Sequence, residues 1–242
     1  VRSESQSDPF ARRTNQPEIL DDHEPEQAVV DRVYAFLAMV NRRLGGAAAT
    51  IARFEAFSRK WRSGERIEVL DVATGAADIP RALVAWGRVK GFDLRVTATD
   101  VSTSALDYAR RTGPPDARLR LVRADAMCPP WRDRAFDYVT SALFFHHLTD
   151  SRIVEVLRTS ARLARRGIVV NDLVRSRRAW WLTWLITWPF HPILHHDGPL
   201  SIRRALTPGE IVALARQADV PWLTVERHFG ERMTLAGERP EV

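Results

Sequence analysis

Three aspartates close apolar runs between Val69 and Asp125, and their spacing limits what the chain can bind. Val69-Leu70-Asp71-Val72 turns sharply through Ala73-Thr74-Gly75-Ala76-Ala77-Asp78. Leu94-Arg95-Val96-Thr97-Ala98-Thr99 ends on Asp100, and Leu119-Arg120-Leu121-Val122-Arg123-Ala124 ends on Asp125. Each run reads as a strand of an open parallel sheet, where ligands sit in the crevice beyond the carboxyl ends of the strands. An ionised carboxylate only accepts hydrogen bonds. Three of them along one edge suit a ligand that carries an amine, a ribose diol and an adenine.

The positioning elements follow from periodicity. Residues 1–24 are polar and aperiodic, which reads as a mobile arm. Val29, Val30, Val33, Phe36, Leu37 and Val40 predict a helix over Glu26–Leu44, and Ile51, Phe54, Phe57 and Trp61 a second over Thr50–Trp61. Residues 25–62 thus form N-terminal helices, and 63–242 the main domain. Within it strand and helix patterns alternate, predicting an α/β fold with a doubly wound, mostly parallel sheet. Strands are expected at 67–72, 94–99, 118–123, 136–142 and 167–171. Helices are expected at 79–86 (closed by Gly87), 104–111 and 151–164, the last with Asp150 as N-cap. Residues 172–206 read as a cap insertion. Thr207-Pro208-Gly209-Glu210 forms a capping box that opens the next helix, and a closing hairpin over 223–236 brings the sheet to seven strands.

The turn after the first strand retains one glycine, Gly75, where a dinucleotide fingerprint has three. That argues against NAD or FAD, whose pyrophosphate needs close backbone approach. A carboxylate can still use the free N–H groups of the following helix, with Asp78 placed to cap it. Residues 69–80 resemble the first motif of the class I S-adenosylmethionine-dependent methyltransferases. Asp100 resembles their ribose-binding acid, Asp125 their adenine-edge acid, and Phe136 to Leu148 their fourth-strand motif. The chain is most similar to the small-molecule branch that includes quinone-biosynthesis methyltransferases, over about Ile67–Val174. It departs at Ala73 and Ala77, where the family usually has glycine.

The resemblance implies S-adenosylmethionine as cofactor and assigns the positions. Asp71 meets the methionine amino group, while Ala73, Thr74, Gly75, Ala76 and Asp78 form the turn around the methionyl part. Asp100 takes the ribose hydroxyls and Val101 lies beside the adenine. Asp125 accepts from the adenine amino group, flanked by Ala126 and Met127. Ser141, Ala142 and Leu143 line the sulfonium end.

Methyl transfer is an in-line displacement that gains from alignment and desolvation, and a phenolic acceptor also gains from a base. His147 and His146, after the fourth strand, are the candidates. In the insertion, Ala179 to Phe190 holds Trp180, Trp181, Trp184 and Trp188. Trp181 and Trp184 are expected to line a hydrophobic substrate lid, with packing on the N-terminal helices, a homodimer seam or a membrane surface as alternatives. His195 and His196, near His191 and Asp197, are candidate substrate contacts. As neighbours on a helix they cannot share one ion, so no metal is expected. The expected reaction is O-methylation of a small aromatic or polyketide-like acceptor. C-methylation of a quinol precursor is the close alternative, and a non-catalytic S-adenosylmethionine-binding protein the rival from another class.

Composition narrows the setting. The net charge is +6, yet lysine occurs only at positions 60 and 90. The arginines are dispersed, a poor footprint for nucleic acid, and no such partner is expected. The single cysteine, Cys128, excludes an internal disulfide. No leader pattern is visible, and the longest apolar run, 179–194, is broken by Pro189, His191 and Pro192, short of the roughly 20 residues of a transmembrane helix. These features lead to an expected cytoplasmic location.

Overall fold

The computed structural model describes residues 8–22 and 26–240. Its sheet has seven strands in the order β3-β2-β1-β4-β5-β7-β6. The parallel strands are β1 (Arg66–Val72), β2 (Asp93–Asp100), β3 (Leu119–Arg123), β4 (Phe136–Ala142) and β5 (Ala164–Leu173). β6 (Thr224–His228) and β7 (Arg232–Glu238) form the closing hairpin, with β7 antiparallel to β5. The central strands are apolar because helices cover both faces. On one face α3 (Gly46–Phe57), α4 (Asp78–Lys90) and α5 (Thr103–Thr112) pack Phe54, Phe57, Leu83 and Ala109 against Val69, Ala98 and Tyr138. On the other, α6 (Asp150–Leu163) and α9 (Pro208–Gln217) pack Ile153, Leu157 and Ile211 against Leu70, Val139 and Ile168.

The N-terminal helices are tied to the sheet by polar as well as apolar contacts. Trp61 Nε1 donates to the Tyr138 hydroxyl at 2.9 Å, and Asn171 Nδ2 on β5 donates to Gly46 O at 2.7 Å and Thr50 Oγ1 at 2.9 Å. α2 (Gln27–Arg43) lies outside α3 and contributes Val33 and Phe36 to a cluster with Leu194 of the insertion. The insertion itself is two helices, α7 (Arg177–Thr187) and α8 (Pro192–Arg204). Its two ends meet at a Val174–Leu206 bridge. Buried Arg175 clamps that base by donating to Ala205 O (2.7 Å), Glu210 (2.5 Å) and Phe10 O (3.0 Å).

Several expectations need correction. Residues 8–22 are not a free arm: they contain the short helix α1 (Ile19–Asp22), and Thr14 N–H reaches Arg203 O at 3.2 Å. The arm's remaining residues lie outside those described. Part-buried hydrogen bonds donated by Arg13 to Leu148 O and Arg204 O, and by Ser201 to Glu18, hold this segment, a signal that aperiodicity hides. The α6 cap is Thr149 rather than Asp150, and α4 begins after Ala77, so Asp78 is its first residue rather than its cap. β5 runs to Leu173, which shortens the insertion at its start. The Thr207–Glu210 capping box is present as expected.

Gly87 does not close α4, which continues to Lys90 and stops at Gly91 in the left-handed conformation. Its role is close packing, since a Cβ there would lie 2.7 Å from Leu94 Cβ on β2. Alanine gains about 1 kcal/mol of helix propensity, against an overpacking cost of about 1–3 kcal/mol. We expect Gly87→Ala to lower the urea midpoint, with a net loss of about 1 kcal/mol in equilibrium unfolding.

Candidate active site

The turn from β1 into α4 alternates in backbone hand. Ala73 (φ 55°), Gly75 (φ 54°) and Ala77 (φ 55°) are left-handed, a region that disfavours residues with a Cβ. The strain is held by hydrogen bonds across to β2: Thr74 N–H donates to Thr99 O and Gly75 N–H to Asp100 Oδ2, both at 2.8 Å. Gly75 also lies under Tyr34 of α2, whose ring edge would sit 3.3 Å from a Cβ there. The family's usual glycines at the positions of Ala73 and Ala77 thus answer to backbone conformation as well as to ligand approach.

Around this turn the chain gathers buried acid. Asp71 is 2% exposed and accepts from the Thr140 hydroxyl at 2.6 Å. Burial pushes its pKa up to about 7, with Asp78 and Asp100 adding like charge against the hydroxyl's opposing pull. Asp100 is raised by burial even though Gly75 and Ser102 donate backbone N–H groups to it. Asp78 is raised by burial too, partly offset by Asn41 and by the charge of Arg232.

The other expected cofactor positions are placed less uniformly. Asp125 stands apart, exposed beyond edge strand β3, where it accepts from Met127 N–H at 2.8 Å. Val101 is exposed beside Asp100, while Ala126 and Met127 pack against the core. Ser141 is buried with its hydroxyl unpartnered, and half-buried Ala142 leads to left-handed Leu143 (φ 53°), whose N–H reaches Asn171 O at 2.9 Å.

One residue beside these acids escaped the sequence reading. Arg232 on β7 is 1% exposed and donates through Nη2 to Asn41 Oδ1 of α2 at 2.8 Å. Its Nε and Nη1 have no partner. Burial lowers its pKa to about 10, against the pull of Asp172 and Asp78. An arginine in an alternating hairpin strand ordinarily faces water, so nothing in its local pattern marks it.

The 145–147 turn carries the histidines. His146 is buried, with Nδ1 2.7 Å from Asp172 Oδ1 and its backbone N–H donating to Asp172 Oδ2 at 3.1 Å. Burial would raise Asp172, but the His146 charge and hydrogen bonds outweigh it and hold the carboxyl low. Nε2 of His146 lies 4.0 Å from Glu18, and the His147 ring centroid 4.2 Å from that of His146. Two arginines latch the turn's carbonyls. Arg204 reaches His146 O (3.2 Å) and His147 O (3.0 Å), and Arg13 reaches Leu148 O (2.9 Å).

Glu18, His146 and His147 bring ligand-type atoms within 4.8 Å of one another. Arg204, 4.0 Å from Glu18, places a fixed positive charge where a metal ion would add another. His195 and His196 diverge: His195 packs on Trp184 and Trp188, whereas His196 turns to Asp197 at 2.8 Å. Trp181 is 61% exposed and faces water, at odds with the expected lid lining.

The buried Asp71 has a measurable signature. Its folded-state pKa lies above the unfolded value, so its contribution to stability is full below about pH 4 and is lost as pH rises through about 7. A rise from 3.8 to about 7 corresponds to at most about 4 kcal/mol. Asp71→Asn should therefore flatten the stability profile between pH 4 and 8, and should exceed the wild type in urea unfolding at pH 8. An unchanged profile would remove Asp71 from the buried acid cluster.

Comparison with known proteins agrees with this geometry. Residues 69–167 match the family described as a methyltransferase domain. A demethylmenaquinone methyltransferase of Thermotoga maritima is 28% identical over 168 residues, 62% of this chain and 68% of that one. One from Clavibacter sepedonicus is 31% identical over 55% of this chain, which spans about half (51%) of that relative. Among solved structures, a plantazolicin methyltransferase in complex with SAH superposes with a TM-score of 0.67 at 11% identity, covering 90% of this chain and 91% of that one. Human N-acetylserotonin methyltransferase in complex with SAM gives 0.65 at 13%, covering 89% and 57%. An Aquifex aeolicus SAM-dependent methyltransferase gives 0.58 at 17%, covering 89% and 99%. With the strand order, the acidic strand tips and the left-handed turn, these matches support an S-adenosylmethionine-dependent methyltransferase and make the chain similar to the demethylmenaquinone methyltransferases.

Proposed function

We propose that this enzyme methylates a small hydroxyaromatic acceptor, at a ring carbon beside the hydroxyl. The observation that carries the reading is the buried acid cluster of Asp71, Asp78 and Asp100 around the β1 turn and the β2 end, which the charge of Arg232 offsets only in part. A sulfonium with an α-ammonium group supplies further positive charge. Other unpartnered groups fit the same ligand: Arg232 Nε and Nη1 suit its carboxylate, and Ser141 Oγ is a buried hydroxyl still open to a partner. Asp100 would hold the ribose diol, with Val101 beside the adenine and Asp125 toward its amino group. When bound, this group supplies an electrophilic methyl.

The chain's own part is to orient the acceptor and take its proton. His146 is paired with Asp172 at 2.7 Å, which orients the ring and, with Nδ1–H donating to the carboxylate, leaves Nε2 as the proton acceptor. We assign it the acceptor's hydroxyl proton, with His147 stacked beside it. Deprotonation raises electron density on the oxygen and on the adjacent ring carbons, so one base serves either methylated atom. The sequence alone pointed toward oxygen; the demethylmenaquinone methyltransferase relatives favour carbon. S-adenosylhomocysteine release with a panel of hydroquinones and phenols, followed by mass spectrometry of the product, discriminates the two. A ring-methylated product supports the proposal, an aryl methyl ether moves it to oxygen, and no turnover with any hydroxyaromatic overturns it.

Two variant sets sharpen the assignment. His146→Ala should lower kcat about 10²- to 10⁴-fold, with cofactor affinity retained. Asp172→Asn should follow in the same direction. Asp100→Asn and Arg232→Gln should instead weaken S-adenosylhomocysteine binding, by about 10- to 100-fold in calorimetry, the range of a lost charge-assisted hydrogen bond. If His146→Ala retained full kcat, the base would have to be sought elsewhere on the turn.

A further inference from the structure

The insertion presents an apolar surface that the site does not use. The inner side of α7 is packed: Ala179 and Thr187 are buried, and Ile186 joins the cluster of Val33, Phe36 and Leu194. Its outer side carries Trp181 (61% exposed), Leu185 (64%) and Trp188 (62%) at i, i+4 and i+7, with Leu182 and Phe190 also exposed. A helix apolar on both sides is normally covered on both. Contiguous exposed hydrophobics of this kind mark an interaction surface.

Charge identifies the occupant. No acidic residue occurs between Asp172 and Asp197, while Arg177 and Arg178 stand exposed in the first turn of α7. Arg178 reaches Glu231 at 3.1 Å, which brings the hairpin tip alongside. There Phe229 is 77% exposed, and its carbonyl lies 2.9 Å from where a Cβ on Gly45 would be. That contact places the tip against the end of α2, with exposed Arg42 and Arg43, and Arg227 lies on the tip's own strand β6. Five guanidiniums thus accompany the exposed aromatics, and the carboxylates that pair with them are Asp8 and Glu231.

Tryptophan prefers the boundary between lipid headgroups and hydrocarbon, and arginines beside it draw anionic lipid. At 11 residues α7 cannot cross a bilayer, and no helix among the described residues is long and apolar enough to do so. Lying flat it can seat its apolar side at the interface.

We propose that the outer side of α7 and the Phe229 tip form a docking surface for an anionic lipid bilayer. This surface lies on the insertion that also contacts the His146 turn, so docking would bring the site to an acceptor with an apolar tail held in the membrane. That last step rests on the proposed reaction; the docking does not.

The test is co-sedimentation of the full chain with vesicles of phosphatidylcholine alone or mixed with phosphatidylglycerol. Binding to the mixed vesicles, weakened at least tenfold by 0.5 M salt, is expected, with a blue shift of tryptophan emission. Leu182→Glu/Leu185→Glu should abolish it while leaving S-adenosylhomocysteine affinity and turnover of a water-soluble acceptor unchanged, which shows that the variant folds. Equal binding of the variant, or none to either vesicle by the wild type, overturns the proposal. So does a wild-type dimer that the same variant dissociates, because the patch would then be a seam between copies. Vesicle binding without any methyl transfer would leave the docking surface standing and sink the reaction instead.

Discussion

Negative charge held without enough counter-charge at one edge of the sheet is the constraint around which the rest of the structure is arranged. Asp71, Asp78 and Asp100 converge where water is scarce, and burial raises all three. In the isolated chain this costs stability, because a buried carboxylate lacks the solvation it had in water. A protein keeps such a cost when the missing charge arrives with a ligand. The same residues that weaken the fold are the ones the proposed cofactor would engage, and the left-handed Ala73 and Ala77 add backbone strain at the same turn.

The second design element is a set of latches that hold the histidine turn from far away in the chain. Arg13 comes from the N-terminal segment and Arg204 from the end of α8, yet both donate to carbonyls of residues 146–148. Glu18 joins them through Ser201, whose hydroxyl donates to it at 2.8 Å. Arg175 meanwhile fixes the base of the insertion. Guanidinium groups suit this work because several N–H donors in one plane can satisfy several carbonyls at once. The insertion and the N-terminal segment are thus tied together at the histidine turn. The arginine content that raised the question of nucleic acid is in part internal scaffolding.

Legibility followed the range of the forces involved. β4 was read at its observed bounds, since a short apolar run between turn residues has one good solution. The capping box at Thr207 was equally plain, because all its partners lie within four residues. The close of α4 was misread at Gly87, whose reason is Leu94 on a neighbouring strand. Arg232 was missed for the same kind of reason: its neighbours Asn41, Asp78 and Asp172 are scattered over most of the chain.

By itself, then, the sequence determined the alternation of strands and helices, the acidic tips and the sharp turn after β1, because each is written in local apolar periodicity and local backbone preference. It also named His146 and His147 by their place after β4. Only the tertiary structure decided which of the two is buried and paired with Asp172, that Asp71 is raised while Asp125 stays in water, and that Trp181 faces outward. Those outcomes depend on desolvation and on partners supplied from distant segments, and neither quantity exists until the chain has closed on itself.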